Sequence, residues 1–131
     1  MTPPDLLGTW RMERTVDDRV AGRRLALTAT LTLTDEPDGR VRWHEAGTVD
    51  WWGDPAPFTR TLFAEQRPDG WWLTFDDGRD FVPWVPGERV DHPCGADHYA
   101  GLLEPLADGW SVRWEVAGPA KDYTMVSRLT R

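Results

Sequence analysis

The chain has 131 residues, with 22 acidic against 15 basic side chains, a net charge of −7 and a single cysteine. That length suits one domain around one core. The acidic balance argues against a phosphate-backbone partner, and one cysteine cannot form an intramolecular disulfide. No polybasic run would hold an anionic membrane, no apolar run approaches the roughly 20 residues of a membrane helix, and no signal peptide is visible, so a cytoplasmic protein is expected.

Residues 1–5 read as a short frayed arm. Residues 6–16 form the first expected strand, with Leu6, Gly8, Trp10 and Met12 on one face by period two. In residues 25–33, Leu25, Leu27, Ala29, Leu31 and Leu33 alternate with Ala26, Thr28, Thr30 and Thr32, the cleanest strand pattern in the chain. The Glu36-Pro37-Asp38-Gly39 turn leads to a strand at 41–50 with Trp43, Glu45, Gly47 and Val49 on one side. Residues 51–57 read as a loop, 58–65 as a strand, and Arg67-Pro68-Asp69-Gly70 as a second turn of the earlier kind. Strands at 71–76 and 79–85 flank Asp77-Gly78, and Pro83 argues for an edge or bulged position. After a polar stretch, strands follow at 99–106, 110–116 and 123–129.

About nine strands with turns between them and no convincing helix predict an all-β fold. An up-and-down antiparallel barrel of 8–10 strands is expected over residues 1–131, closed so that it leaves no exposed edge. Such a barrel is wide enough for one small ligand. The nine tryptophans suit either a wide core or stacking on planar ligands, and burial statistics favour core for most of them.

The chain resembles known families in two ways. Gly8-Thr9-Trp10 is similar to the Gly-x-Trp signature of lipocalins and their calycin relatives. There the tryptophan closes the barrel floor against an arginine near the chain's end, a place Arg128 or Arg131 would take. More of the chain resembles a family of small bacterial proteins of unknown function, expected to form a lipocalin-like barrel. The matching pieces are Leu7-Gly8-Thr9-Trp10, Glu45-Ala46-Gly47, Asp77-Gly78-Arg79-Asp80-Phe81, the 92–101 stretch and Gly118-Pro119-Ala120-Lys121-Asp122-Tyr123. Val82 and Ala120 depart from that family's pattern, where histidine and arginine are common, so roles needing those side chains do not carry over. The resemblance implies a fold and brings no activity.

Three constellations carry candidate chemistry. In His92-Pro93-Cys94-Gly95-Ala96-Asp97-His98-Tyr99, His92 and His98 titrate near neutral pH, with Asp97 as an orienting group. The same stretch has metal-ligand residue types but no standard metal spacing, so no metal or other cofactor is expected. Cys94 beside a histidine is a nucleophile candidate, although lone cysteines more often serve as small hydrophobes. The structural alternative is a turn in which Gly95 takes a positive φ and Asp97 accepts backbone bonds. In the 118–123 loop, Lys121 and Asp122 form either a charge pair at a barrel mouth or a solvated ion pair, and Tyr123 either borders a pocket or bonds the backbone.

The third constellation follows from parity. Glu45 lies on the face of Trp43, and Arg60 on that of Phe58 and Leu62, so both are carried into the barrel. They should pair with each other or with a ligand, and Arg14 would join them. The expected ligand site is therefore Arg14, Trp43, Glu45, Arg60, Trp114 and Tyr99, taking a mostly apolar or aromatic metabolite. A cofactor-free cyclase, isomerase or hydrolase using His92, Asp97, His98, Lys121 and Tyr123 is the alternative. The test between them is whether a cavity-facing histidine has an aspartate behind it. A small molecule is the expected partner, neither nucleic acid nor membrane is, and a homodimer is left open.

Overall fold

The computed structural model describes residues 1–51 and 53–131, with the side chain of Trp51 also outside the description. Ten antiparallel strands form one sheet that curls into a nearly closed barrel. They are β1 (Gly8–Asp18), β2 (Arg23–Asp35), β3 (Val41–Trp51), β4 (Asp54–Arg67), β5 (Gly70–Phe75), β6 (Asp80–Pro83), β7 (Arg89–Cys94), β8 (Asp97–Leu106), β9 (Gly109–Ala117) and β10 (Asp122–Thr130). No helix among the described residues is long and apolar enough to cross a membrane.

The period-two pattern explains which way each strand faces. Along β9, buried Trp110, Val112, Trp114 and Val116 alternate with Ser111, Arg113, Glu115 and Ala117, which face outward. Along β2, Leu31 and Leu33 are buried on the side opposite the threonines. The first and last strands do meet, with Met12 opposite Leu129 and Arg14 opposite Ser127. The seam lies elsewhere. Strands β6 and β7 run near each other at opposite ends of the sheet order, without pairing. The expectation of a barrel without edges is corrected here. Pro83 ends β6, and Pro86 in the short crossing to β7 has no N–H to donate, so a ladder at this point is hard to build.

Three sequence expectations change. The 1–5 arm is not frayed: Pro3–Leu6 form a 3-10 turn with Pro3 and Leu6 buried. Thr2 donates from its backbone N to the Asp5 carboxylate at 2.8 Å, fixing the turn's start. The 51–57 segment is mostly strand, since β4 begins at Asp54, while Trp52 lies outside the described residues. Residues 54–61 pair with β3 but not with β5, so Pro55 and Pro57 can turn their missing N–H toward the unpaired side. The 92–101 stretch is a hairpin of β7 and β8, with Gly95 at φ 62° in its turn as the structural alternative had it, but Asp97 reaches Lys121 rather than accepting backbone bonds.

One end of the barrel is solid. Trp110 is fully buried and sits edge-on to Trp10 at 5.8 Å and to Trp43 at 5.5 Å between ring centroids. Trp84 packs against the same ring at 6.4 Å. Met12, Leu31, Leu33, Val41 and Leu129 fill the space around them. The N-terminal turn closes this end: the Trp10 indole donates to the Leu6 carbonyl at 2.8 Å, and the Trp84 indole to the Met1 carbonyl at 3.0 Å. Arg131, not Arg128, takes the place expected of the closing arginine. Its guanidinium lies 4.0 Å over the Trp10 ring and donates to the Leu7 carbonyl at 2.9 Å. Gly8 adopts φ 116°, and a Cβ there would lie 2.8 Å from that guanidinium, so glycine answers both demands. Arg128 instead reaches Asp108 on the surface.

Candidate functional site

Going from the solid end toward the middle of the lumen, the lining changes from indoles to charge. Inward parity carries Arg14 on β1, Glu45 on β3 and Ser127 on β10 into the interior, 8 %, 0 % and 2 % exposed. Arg14 donates through Nη1 to Glu45 Oε1 at 2.9 Å and through Nε to Ser127 Oγ at 2.8 Å. Trp43 donates its indole N–H to the other Glu45 oxygen at 2.8 Å. Burial opposes the Glu45 charge, but Arg60 and Arg14 together with these hydrogen bonds outweigh it and hold the carboxyl below its usual range.

The partner expected for Glu45 was Arg60. Their Cα atoms are indeed paired across β3 and β4, yet the direct hydrogen bond to Glu45 comes from Arg14. Arg60 acts on the carboxylate through space and makes no hydrogen bond among the described residues. Burial, and then Arg14, disfavour its charge, so its pKa is lowered although Glu45 supports it. A guanidinium nonetheless remains protonated at any physiological pH. Its guanidinium carbon lies 5.8 Å from the Phe81 ring centroid.

Beyond Arg60 the barrel opens. A cavity of about 720 Å³ is lined by Arg60, Leu62, Phe75, Phe81, His92, Tyr99, Trp114, Val116, Tyr123 and Met125, among others. On the other side of Arg60, Leu62 and Trp114, a void of only about 30 Å³ reaches Arg14, Glu45 and the seam residues Val82, Pro83 and Trp84. Those three shared residues are therefore the floor of the open chamber. Its wall is aromatic: Phe81 stacks on Trp114 at 4.8 Å, and Phe75 lies 4.6 Å from Phe81. Gly101 sits opposite Trp114 on the neighbouring strand, and a Cβ there would come within 2.6 Å of the indole. The glycine thus lets Trp114 lie flat across β8.

The hairpin residues separate by parity. His92 points inward and packs edge-on to Phe81 at 5.2 Å and near Tyr99 at 6.1 Å. His98 points outward, where its Nε2 lies 3.1 Å from Asp91. Asp97 stands behind neither histidine; it accepts from Lys121 Nζ at 3.0 Å. Lys121 also donates to the Tyr99 hydroxyl at 2.9 Å, and these two bonds raise its pKa, so it is a fixed cation at neutral pH. Asp122, the charge partner considered for Lys121, pairs with Arg19 instead. Tyr123 faces the chamber and holds its proton more tightly, because of burial and then the nearby Tyr99. Cys94 is an exposed free thiol at the chamber's rim. Among the described residues no three histidine, cysteine or acidic side chains converge as a metal site.

Of the residues singled out from sequence, Arg14, Trp43, Glu45 and Arg60 thus gather in mid-lumen. Trp114, Tyr99, His92 and Tyr123 surround the chamber, Lys121 and its partner Asp97 are joined to it through the Tyr99 hydroxyl without lining it, and His98 lies outside. Phe75, Phe81, Met125 and Ser127 belong with them but were not singled out. The inward parity of Met125 and Ser127 was readable from β10; the folding of β6 and β7 over the chamber was not.

Fold and site together define a ten-stranded meander barrel with one sealed end and one open, aromatic-walled chamber. The chain belongs to a family of unknown function, DUF6314, whose model matches residues 6–131. No curated protein and no solved structure matches it.

Proposed function

We propose that this protein binds a small, mostly apolar or aromatic metabolite in the open half of its barrel. The observation that carries this reading is the chamber of about 720 Å³ with Phe75, Phe81, Trp114 and Met125 on its wall and Arg60, Tyr99, Tyr123 and His92 interspersed. Binding sites for small molecules have this size and this mixture of apolar surface with a few polar anchors. The rest of the lumen is packed, so the opening is not a general looseness of the barrel.

Binding is favoured over catalysis by two details of geometry. The histidine that faces the chamber has phenylalanine and tyrosine rings beside it rather than a carboxylate, and the lysine bonded to Tyr99 is held in its charged form. We place the fold beside the lipocalins on the strength of Gly8, Trp10 and the Arg131 guanidinium stacked over that indole. A reducing, cytoplasmic setting agrees with the exposed free thiol of Cys94.

Native mass spectrometry of the protein purified from its source cells, without unfolding, tests the proposal. A bound species of a few hundred daltons, displaced by small aromatic compounds, is the expected result. A bare protein mass, together with no binding from a panel of aromatic acids, amides and amines, would overturn it.

A further inference from the structure

The charges inside the barrel do not cancel. Arg14 and Arg60 are cations and Glu45 is their shared anion, which leaves one surplus positive charge in mid-lumen. The surplus is localised by geometry. Arg14 is committed to Glu45 and Ser127, and Glu45 has its two oxygens engaged by Arg14 and Trp43. Arg60 is largely but not fully buried and has its hydrogen-bonding capacity unspent among the described residues. It lies in the chamber floor. Nearby acidic side chains do not compensate it: Asp97 is tied to Lys121 and Asp77 to Arg79, while Asp76 is exposed at the rim.

A guanidinium presents several N–H donors in a flat fork that matches a carboxylate. Burying it without an anion is costly, and that cost is relieved when a ligand supplies one. Beside the guanidinium is the stacked Phe81–Trp114 pair, whose faces are largely covered by each other and by neighbours and which offers the chamber a narrow apolar margin for edge-on contact with a ring.

Resting on the reading of the chamber as a binding site, we propose that its ligand is a planar aromatic carboxylic acid. Its carboxylate docks on Arg60 at the chamber floor and its ring lies among Phe81, Trp114 and Phe75. Tyr99 and Tyr123 flank the ring from β8 and β10, and Lys121 stays outside the lining, occupied by Asp97 and Tyr99.

Calorimetric titration with 1-naphthylacetic acid and its primary amide, equal in shape and different in charge, reads this directly. The unaltered protein should bind the acid about tenfold or more tightly than the amide, the usual worth of a charge-assisted pair out of water. In Arg60→Met, and in Arg60→Gln should the first not fold, acid and amide should bind within about twofold of each other. Equal affinities in the unaltered protein would overturn the assignment of an anion and leave the chamber standing as a binding site. A preference for acid that persists in both variants would also overturn it, by moving the anion to Lys121. Binding of neither compound would overturn the acid, and extended to the wider panel it would remove the chamber reading as well.

Discussion

The two ends of this barrel are built from the same residue types, and they differ in how the rings are spent. At the sealed end, Trp10, Trp43, Trp84 and Trp110 face one another, and the N-terminal turn supplies carbonyls for two of the indoles. At the open end, Phe81 and Trp114 pair with each other and, although largely buried, contribute to the lining of the chamber. Rings that meet across the lumen hold the fold; rings that stack along one wall leave room for a guest. The charged layer divides the two, and its two arginines repeat the contrast, one bonded to Glu45 and Ser127 and one without a hydrogen bond among the described residues.

That contrast should show in stability. Trp110→Ala removes a fully buried side chain from the sealed end and should cost about 3–5 kcal/mol in denaturant unfolding. Phe75→Ala at the half-exposed wall of the open chamber should cost about half as much or less. Equal losses would mean that the two ends are packed alike.

Next in size is the charged layer. Arg14→Met deprives the buried Glu45 of its direct partner and should cost about 3 kcal/mol or more. Arg60→Met removes a cation that has no hydrogen bond among the described residues and should cost clearly less. The reverse order would make Arg60 the true structural partner of Glu45.

The carboxyl of Glu45 also sets a pH dependence. Its folded pKa is lowered, so its ionisation stabilises the fold fully above the unfolded value of about 4.3 and that contribution is lost as pH falls through the folded value. The stability gap between the unaltered protein and Glu45→Gln should therefore be steady from about pH 8 to 5 and shrink below about pH 4. A gap that widens toward acid would reverse the sign of the account. The smallest effect is expected at the rim. Cys94→Ser should shift stability by no more than about 0.5 kcal/mol, because the thiol is exposed. In the unaltered protein, ligand in the chamber should slow labelling of that thiol.

Much of this was legible in the residues, for a physical reason. A strand shows one face to the core, so alternation alone put Arg14, Glu45 and Arg60 inside and named Trp43 and Trp114 as lining. Which arginine bonds Glu45 was not legible, because the distance across a lumen depends on barrel stagger, which alternation does not encode. The β7 strand was missed because His92-Pro93-Cys94 has neither the β-branched residues nor the apolar rhythm of a strand. Its inward residues are Val90 and His92, with Asp91 and Pro93 outside. The seam was foreshadowed by Pro83, but its position followed only from the order of strands.

The most direct test is to fill the open chamber and leave the sealed end alone. Met125 is half-buried on the chamber wall, and Met125→Trp would place an indole in the space the ligand needs. Unfolding temperature and titration with the naphthyl acid should be measured on the same sample. A nearly unchanged unfolding temperature with binding abolished is the predicted result; binding at unaltered affinity would show that the guest sits elsewhere.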